Sequence, residues 1–390
     1  MFTRNIKFKN FSGKKKIILN NKLINIFKSE NWLSKYPLLN SLNKNYNYSY
    51  KKKKISYLKK FKYFNVIGMG GSILGAEAIY DFLKFKIKKN FSFYNNLQIK
   101  NILKSKKKKI NLIISKSGNT LETISNLNFI LQNQKKNKNV IITEKKNNYL
   151  TILAKKLKAE IFEHRNYIGG RYSVLSEAGM LPAELMGLNE KKFKKYNELV
   201  KNKNFLKTLI KNVCFIESCY NSGIKNSVIL NYDEKSDNFF RWYQQLVAES
   251  LGKKSKGIFP IISTMPKDNH SLLQLYLDGP KNNFFTFFKV NERNSPKINN
   301  KILTNNFSIL ENKTFNEILI SQKKATENVF RRKNIPFRSF EVLNRSEEVL
   351  GELFCFFILE TILLGRLFKV NPFDQSSVEL IKIETKKILS

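Results

Sequence analysis

Short apolar runs alternate with amphipathic stretches along most of this chain. Phe64–Gly68 (FNVIG) reads as a strand, followed by GMGGSILG and a helical stretch, AEAIYDFLKF. Asn111–Ser115 (NLIIS) reads as a second strand, followed by KSGNT and the helix LETISNLNFILQ, and Val140–Thr143 as a third. Such apolar runs, spaced by helices, predict βαβ units in a parallel sheet covered on both faces. The alternation resumes at Ser227–Asn231, Gly257–Ser263, Phe284–Val290 and Phe337–Leu343, with helices over Phe239–Leu251, Phe315–Phe330 and Glu347–Phe368. The Lys- and Asn-rich stretch Lys191–Lys203 marks the boundary between the halves. The expected organisation is an N-terminal helical and loop segment over 1–45, closing near the lysine run Lys51–Lys54. A first α/β domain over 46–195 and a second over 196–390 follow. The lysine run Lys106–Lys109 reads as a solvated turn ahead of a strand.

A length of 390 residues suits two or three domains and cores large enough to need no disulfide or metal. Hydrophobic residues make up 42% and aromatics 13%, which excludes a wholly disordered chain. The formal charge of +41 suggests a nucleic-acid binder at first sight. Only ten of the 71 basic residues are Arg, however, and the Lys excess travels with Asn, Ile, Phe and Tyr. Those are residues of A/T-rich codons, and base-reading surfaces lean on the bidentate fork of Arg. No specific nucleic-acid partner is expected. Cys214, Cys219 and Cys355 are too few and too poorly spaced for a disulfide frame or a zinc site and read as buried or incidental thiols. The stretch MFTRNIKFKNFSGKKK holds no apolar core of signal-peptide length. Leu353–Leu364, interrupted by Glu360 and Thr361, falls short of the ~18 residues that cross a bilayer. A cytoplasmic protein without a membrane span is the expectation.

Two loops join a strand to a helix at the carboxyl edge of the first sheet, where open α/β sheets bind ligands. Ser115-Lys116-Ser117-Gly118-Asn119-Thr120 supplies three hydroxyls, a cation and a glycine at a helix N-terminus. Free backbone N–H groups and the positive end of the helix dipole suit a phosphate there. The alternative is simple helix capping, for which one hydroxyl suffices. Gly68-Met69-Gly70-Gly71-Ser72-Ile73-Leu74-Gly75 fails the dinucleotide fingerprint, because Ile73 stands where the last glycine belongs and no ribose-binding acid follows. What remains is a glycine turn, with Gly71 and Ser72 able to approach an anion. Gly169-Gly170-Arg171-Tyr172-Ser173 is either a turn that aims its guanidinium or a surface turn with an incidental Arg. In Phe239–Leu251, Trp242, Gln245 and Glu249 share one helix face, so Glu249 is either a satisfied core acid or a tuned base. Of the two histidines, His164 reads as structural, and His270 stands in DNHS ahead of LLQLYL. Phe373-Asp374-Gln375-Ser376-Ser377 is a polar turn opening a helix whose Lys382 could reach back toward it.

In this order, GMGGSILG, SKSGNT, GGRYS, QQLVAESLGK, DNHSLLQ and FDQSSVELIK resemble the glucose-6-phosphate isomerase (phosphoglucose isomerase) family of the sugar isomerase (SIS) superfamily, over residues 64–386. GGRYS and the FDQ…VE..K segment are distinctive for the family, and the serine-rich loop is shared with the wider superfamily. The resemblance implies an α/β fold of two SIS-type domains, each a mainly parallel sheet flanked by helices in a three-layer α/β/α arrangement. It also implies a homodimer, no metal or organic cofactor, and interconversion of glucose 6-phosphate and fructose 6-phosphate. By the same resemblance, Ser72, Ser115, Lys116, Ser117 and Thr120 match phosphate-holding positions, with Gly71 in the first loop and Gln375 nearby. Glu249 matches the base that moves a proton between C2 and C1 through a cis-enediolate. Arg171 matches the guanidinium facing that intermediate, and Gln245 lines the site. His270 and Lys382 match the ring-opening pair, the histidine arriving from the neighbouring subunit. Ser377 stands where the family has a small Gly or Ala, and the chain is short for the family. Dual activity on mannose 6-phosphate and a non-catalytic SIS-type phosphosugar-binding module are the alternatives; the second needs only the two phosphate loops.

Overall fold

The computed structural model describes residues 4–13, 23, 35–97, 108–133, 137–292, 294–299, 301–375 and 377–390. Among the described residues the strands, in chain order, are β1 (Ile6–Phe11), β2 (Tyr63–Gly68), β3 (Asn90–Tyr94), β4 (Ile110–Ile114), β5 (Lys138–Thr143), β6 (Glu160–Glu163), β7 (Asn226–Asn231), β8 (Phe259–Thr264), β9 (Asn283–Val290) and β10 (Phe337–Val342). They form two five-stranded sheets. The first has the order β3-β2-β4-β5-β6 and is parallel throughout. The second has the order β1-β10-β9-β7-β8 and is parallel except for β1. The helices of nine residues or more, among the described residues, are α1 (Leu74–Phe82), α2 (Leu121–Asn133), α3 (Tyr149–Leu157), α4 (Glu177–Met186), α5 (Lys203–Asn221), α6 (Asp237–Leu251), α7 (Phe315–Arg332), α8 (Glu347–Leu367) and α9 (Ser377–Leu389).

The near-continuous apolar character of the strands has a direct cause: successive side chains enter different cores. In β2, β4 and β5, Val66, Leu112 and Ile142 join the central core, while Ile67, Ile113 and Ile141 pack beneath α2 and α3 with Leu127, Ile130 and Leu150. In the second sheet, Ile229, Phe288 and Phe340 face the same central core, and Val228, Phe287 and Phe337 pack against Phe330 of α7. The central core is thus shared by both sheets and holds α1, α4, α6 and α8 between them. Helix α8 is buried along nearly its whole length, which explains its all-round apolar sequence. Among the described residues no helix is long and apolar enough to cross a membrane.

One expectation is corrected at the N-terminus. Residues 1–45 read as helix and loop, yet Ile6–Phe11 is a strand paired antiparallel with β10, Ile6 opposite Val342 and Phe11 opposite Phe337. Its sequence, IKFKNF, alternates. Ile6 is buried and Phe8 packs on Phe340 at 4.7 Å, while Lys9 and Lys7 turn outward to Glu327 (2.6 Å) and Glu341 (3.7 Å). Lysines on a short edge strand are a usual guard against edge-to-edge pairing, and they hide the strand from a search for apolar runs. The remaining helix expectation over 14–22 and 24–34, residues 106 and 107 of the lysine run, and Ser376 lie outside the described residues. Strands β3 and β6 are further additions to the sequence reading; β6 is only four residues long (EIFE).

Candidate active site

Three loops and one helix converge where the two sheets meet. The 68–75 loop leaves β2 and runs against α6 and the Gly170–Leu175 turn. A Cβ on Gly71 would stand 2.1 Å from the carbonyl carbon of Gly170, and one on Gly70 (φ +52°) would stand 2.6 Å from Gln245 Nε2. Glycine at 71 lets the two backbones meet, and at 70 it supplies the left-handed φ that other residues rarely adopt. Ser173 Oγ donates to the carbonyl oxygens of Gly170 (2.7 Å) and Gly71 (3.2 Å), fixing the two loops to each other. Ser72 is buried at the end of this loop.

The 115–120 loop follows β4 and leads into α2. Ser115 Oγ and Thr120 Oγ1 are 2.8 Å apart, and Ser115 Oγ also accepts from the Gly118 N–H at 3.2 Å. Ser117 and Asn119 are exposed, with the Asn119 N–H donating to Ser117 Oγ at 3.2 Å. Gly118 has φ +70° and lies against the Asn148 side chain, which caps α3. Lys116 points elsewhere: its ammonium donates to the Asn166 carbonyl (2.8 Å) and stands 3.6 Å from Glu144. Burial lowers its pKa, and Glu144 opposes that shift. His164, buried next in line, is held neutral with a pKa lowered to about 4 by burial; its Nδ1 lies 3.2 Å from the Arg165 carbonyl oxygen.

Arg171 is the hub. It is 2 % exposed, and each of its five N–H groups has a partner. Nε donates to Ser250 Oγ (2.8 Å), Nη1 to Glu249 Oε2 (3.2 Å) and Gln375 Oε1 (2.9 Å), and Nη2 to the carbonyls of Pro372 (2.6 Å) and Asp374 (2.9 Å). Helix α6 supplies the acid from the face its spacing predicts. Trp242 Nε1 donates to the Arg171 carbonyl (3.1 Å), and Gln245 Nε2 donates to Glu249 Oε1 (2.8 Å). The Glu249 side chain is 27 % exposed and Gln375 and Asp374 are exposed, so the buried guanidinium opens to solvent on the side of these groups. A carboxylate oriented by an amide and a guanidinium, with one side open, can exchange a proton with a bound carbon acid.

The sequence-expected residues divide. Arg171, Gln245, Glu249 and Gln375 are joined by hydrogen bonds, and Gly71 and Ser72 abut them; Ser115, Ser117 and Thr120 form the second loop. His270 is exposed on the Lys267–His270 turn after β8, and among the described residues no hydrogen bond joins it to Glu249 or Arg171. Lys382 donates to Glu379 Oε1 (2.6 Å) on its own helix rather than to the preceding turn. It faces Ser117 and Thr120 across a cleft of about 400 Å³. Ser250, Tyr172 and Lys253 receive no individual role from the sequence. Tyr172 OH bonds Ser250 Oγ (2.9 Å) and donates to the Pro372 carbonyl (3.0 Å). Lys253 pairs with Asp374 at 2.8 Å and holds that carboxyl below its usual range. Their sequence signal is membership of the GGRYS and QQLVAESLGK segments.

The family model and the curated relatives point to one family, and the solved structures to one fold. The family model described as phosphoglucose isomerase matches residues 52–390. A glucose-6-phosphate isomerase of Methanocaldococcus jannaschii is 33% identical over 358 residues, covering 85% of this chain and 86% of the relative. Among solved structures, a hypothetical protein of Thermus thermophilus superposes with a TM-score of 0.81 at 22% identity, covering 95% of this chain and 93% of that one. A Chlamydia trachomatis glucose-6-phosphate isomerase gives 0.71 at 18%, covering 86% and 71%. With the two parallel sheets flanked by helices, the fold is of the SIS type, and the chain belongs to the phosphoglucose isomerase family.

Proposed function

We propose that this chain interconverts glucose 6-phosphate and fructose 6-phosphate. The observation that carries the reading is the Arg171–Glu249 pair, a fixed guanidinium beside an open carboxylate at the edge of the two loops. The phosphate lies against the 68–75 and 115–120 loops, held by backbone N–H groups, the hydroxyls of Ser72, Ser115, Ser117 and Thr120, and the N-terminus of α2. That anchor sets the far end of the open-chain sugar, so C1 and C2 are held against Glu249. Glu249 takes the C2 proton as the C1 carbonyl becomes the enediolate oxygen. Arg171 Nη1 offsets the developing negative charge. Glu249 then delivers that proton, or one exchanged for it with solvent, to C1 while the O2 proton passes to O1, leaving a carbonyl at C2 and giving the ketose. Gln245 orients the carboxylate between the two transfers.

His270 and Lys382 act on the ring, one taking the O1 proton and the other protonating the ring oxygen. His270 serves the site of a second copy, so the working enzyme is a homodimer in the cytoplasm. Incubation of the protein with glucose 6-phosphate in deuterated water tests the reading. Fructose 6-phosphate should form, with deuterium at C1, and glucose without its phosphate should not react. Failure to form the ketose under conditions where the protein is folded would end the proposal.

A further inference from the structure

The turn that carries Arg171 ends at Leu175, and its last carbonyl meets a buried charge. Lys194, 2 % exposed, donates from its ammonium to the carbonyl oxygens of Leu175 and Ser41. Ser41 belongs to the Pro37–Leu42 turn, so this one group ties the Arg171 turn to the N-terminal stretch lying on it. The rings of Tyr46 and Tyr48 stand with centroids 5.0 Å from the same nitrogen. Among the described residues no carboxylate pairs directly with it. Glu177 accepts from Tyr46 OH (2.9 Å) and the Ser49 N–H (2.8 Å), and Glu190 pairs with Lys52 at 2.6 Å. A buried ammonium satisfied by carbonyls and ring faces is costly to keep, and plain packing would be served as well by Met or Leu.

We propose that Lys194 is a positioning residue for Arg171: its ammonium clamps the end of the Gly170–Leu175 turn and so fixes where the guanidinium stands beside Glu249. The near end of the turn is held by Gly71 and Ser173, as described above; Lys194 holds the far end. The inference rests on the reading that Arg171 serves the enediolate.

Burial lowers the Lys194 pKa to about 7, against the opposing attraction of Glu177 and Glu190. The other titratable groups facing it are Tyr46 and Tyr48, with Lys44, Tyr50, Lys52 and Lys191 on the wall of the adjoining cavity of about 200 Å³. Below that pH the ammonium makes charge-assisted bonds, roughly twice as strong as those of the neutral amine. An unfolded lysine keeps its proton to about pH 10.4. Between about pH 7 and 10 the folded chain therefore binds fewer protons, and stability gains from Lys194 as pH rises while its hold on the turn weakens.

Kinetics of Lys194→Met, alone and combined with Arg171→Lys, test this. At pH 6, kcat should fall about 10-fold for a sub-ångström displacement of a catalytic group, with KM changed less than about 2-fold. At pH 8.5 the gap to wild type should narrow, and in the Arg171→Lys background the second substitution should add nothing. An unchanged kcat at pH 6, or an additive loss in that background, overturns the proposal. Should Lys194→Met not fold, Lys194→Arg keeps the charge at every pH and must flatten the pH profile; an unaltered profile overturns the proposal equally. Hydrogen exchange at the amides of 171–175 gives a readout free of turnover. Faster exchange in wild type as pH passes 7, after correction for the intrinsic rate, supports the clamp even if the functional reading fails. An unchanged corrected rate defeats the clamp even if that reading stands.

Discussion

The Arg171 cluster and the C-terminal helix belong to one proposed machine but are built in opposite ways. Arg171 is buried, with every donor bound, and its partners come from α6 and the 372–375 segment. Lys382 sits on α9, a helix with no buried residue, and its ion pair is with Glu379 on the same helix. Proton transfer at carbon needs charge fixed in advance, because reorganising dipoles during the reaction raises the barrier. Ring opening involves oxygen acids and bases of ordinary reactivity and tolerates groups on exposed elements. The geometry-critical step is thus the one for which a rigid frame exists within this chain.

Four substitutions probe the difference between the buried and the exposed half. Glu249→Gln should have the largest effect, lowering kcat by about 10²–10⁴-fold while a sugar phosphate still binds. Equilibrium binding and turnover measured together check it, and near-normal turnover would remove Glu249 as the base. Arg171→Lys should cost about 10²–10³-fold in kcat, since one ammonium replaces a five-donor fork. It should also loosen 372–375, visible as faster proteolysis near Asp374. Lys382→Ala should slow anomeric interconversion by no more than about 10²-fold and C2 proton exchange less. NMR follows both rates, and equal slowing would place Lys382 in the buried half. The smallest effect is expected of Ser117→Ala, about 10-fold in KM for one charge-assisted hydrogen bond, with kcat retained. An unchanged KM would move the phosphate away from the exposed end of the 115–120 loop.

Much of the site was legible because its residue types are forced. Gly71 must lack a side chain where backbones meet, Gly70 turns the chain at positive φ, and the Trp242, Gln245, Glu249 spacing puts three groups on one helix face whatever surrounds them. Strand β1 was not legible, because Lys7 and Lys9 interrupt its apolar positions and its apolar packing comes from Ile6, Phe8 and Phe11 against the folded chain. Lys194 was hidden differently. It stands in the Lys191–Lys203 stretch that reads as the boundary between the halves, yet among the described residues it is one of the most deeply buried charges. Likewise, Lys116 reads as a phosphate ligand from its loop, but Glu144 and the Asn166 carbonyl, on other segments, claim its ammonium.

Amino-acid order alone dictated the layers: the apolar runs between helices, the glycine turns at strand ends and the succession of motifs. Each follows from local sterics and hydrophobic burial, which act over a few neighbouring residues. Which side chain each charge meets was settled only by the folded chain. Arg171 binds Glu249 and Gln375, 78 and 204 positions away, and Lys194 is bound by carbonyls 19 and 153 away. No local pattern encodes such partners. Coulomb and hydrogen-bond energies depend on separation in space and on exclusion of water, and both are fixed only once the two sheets close on their common core.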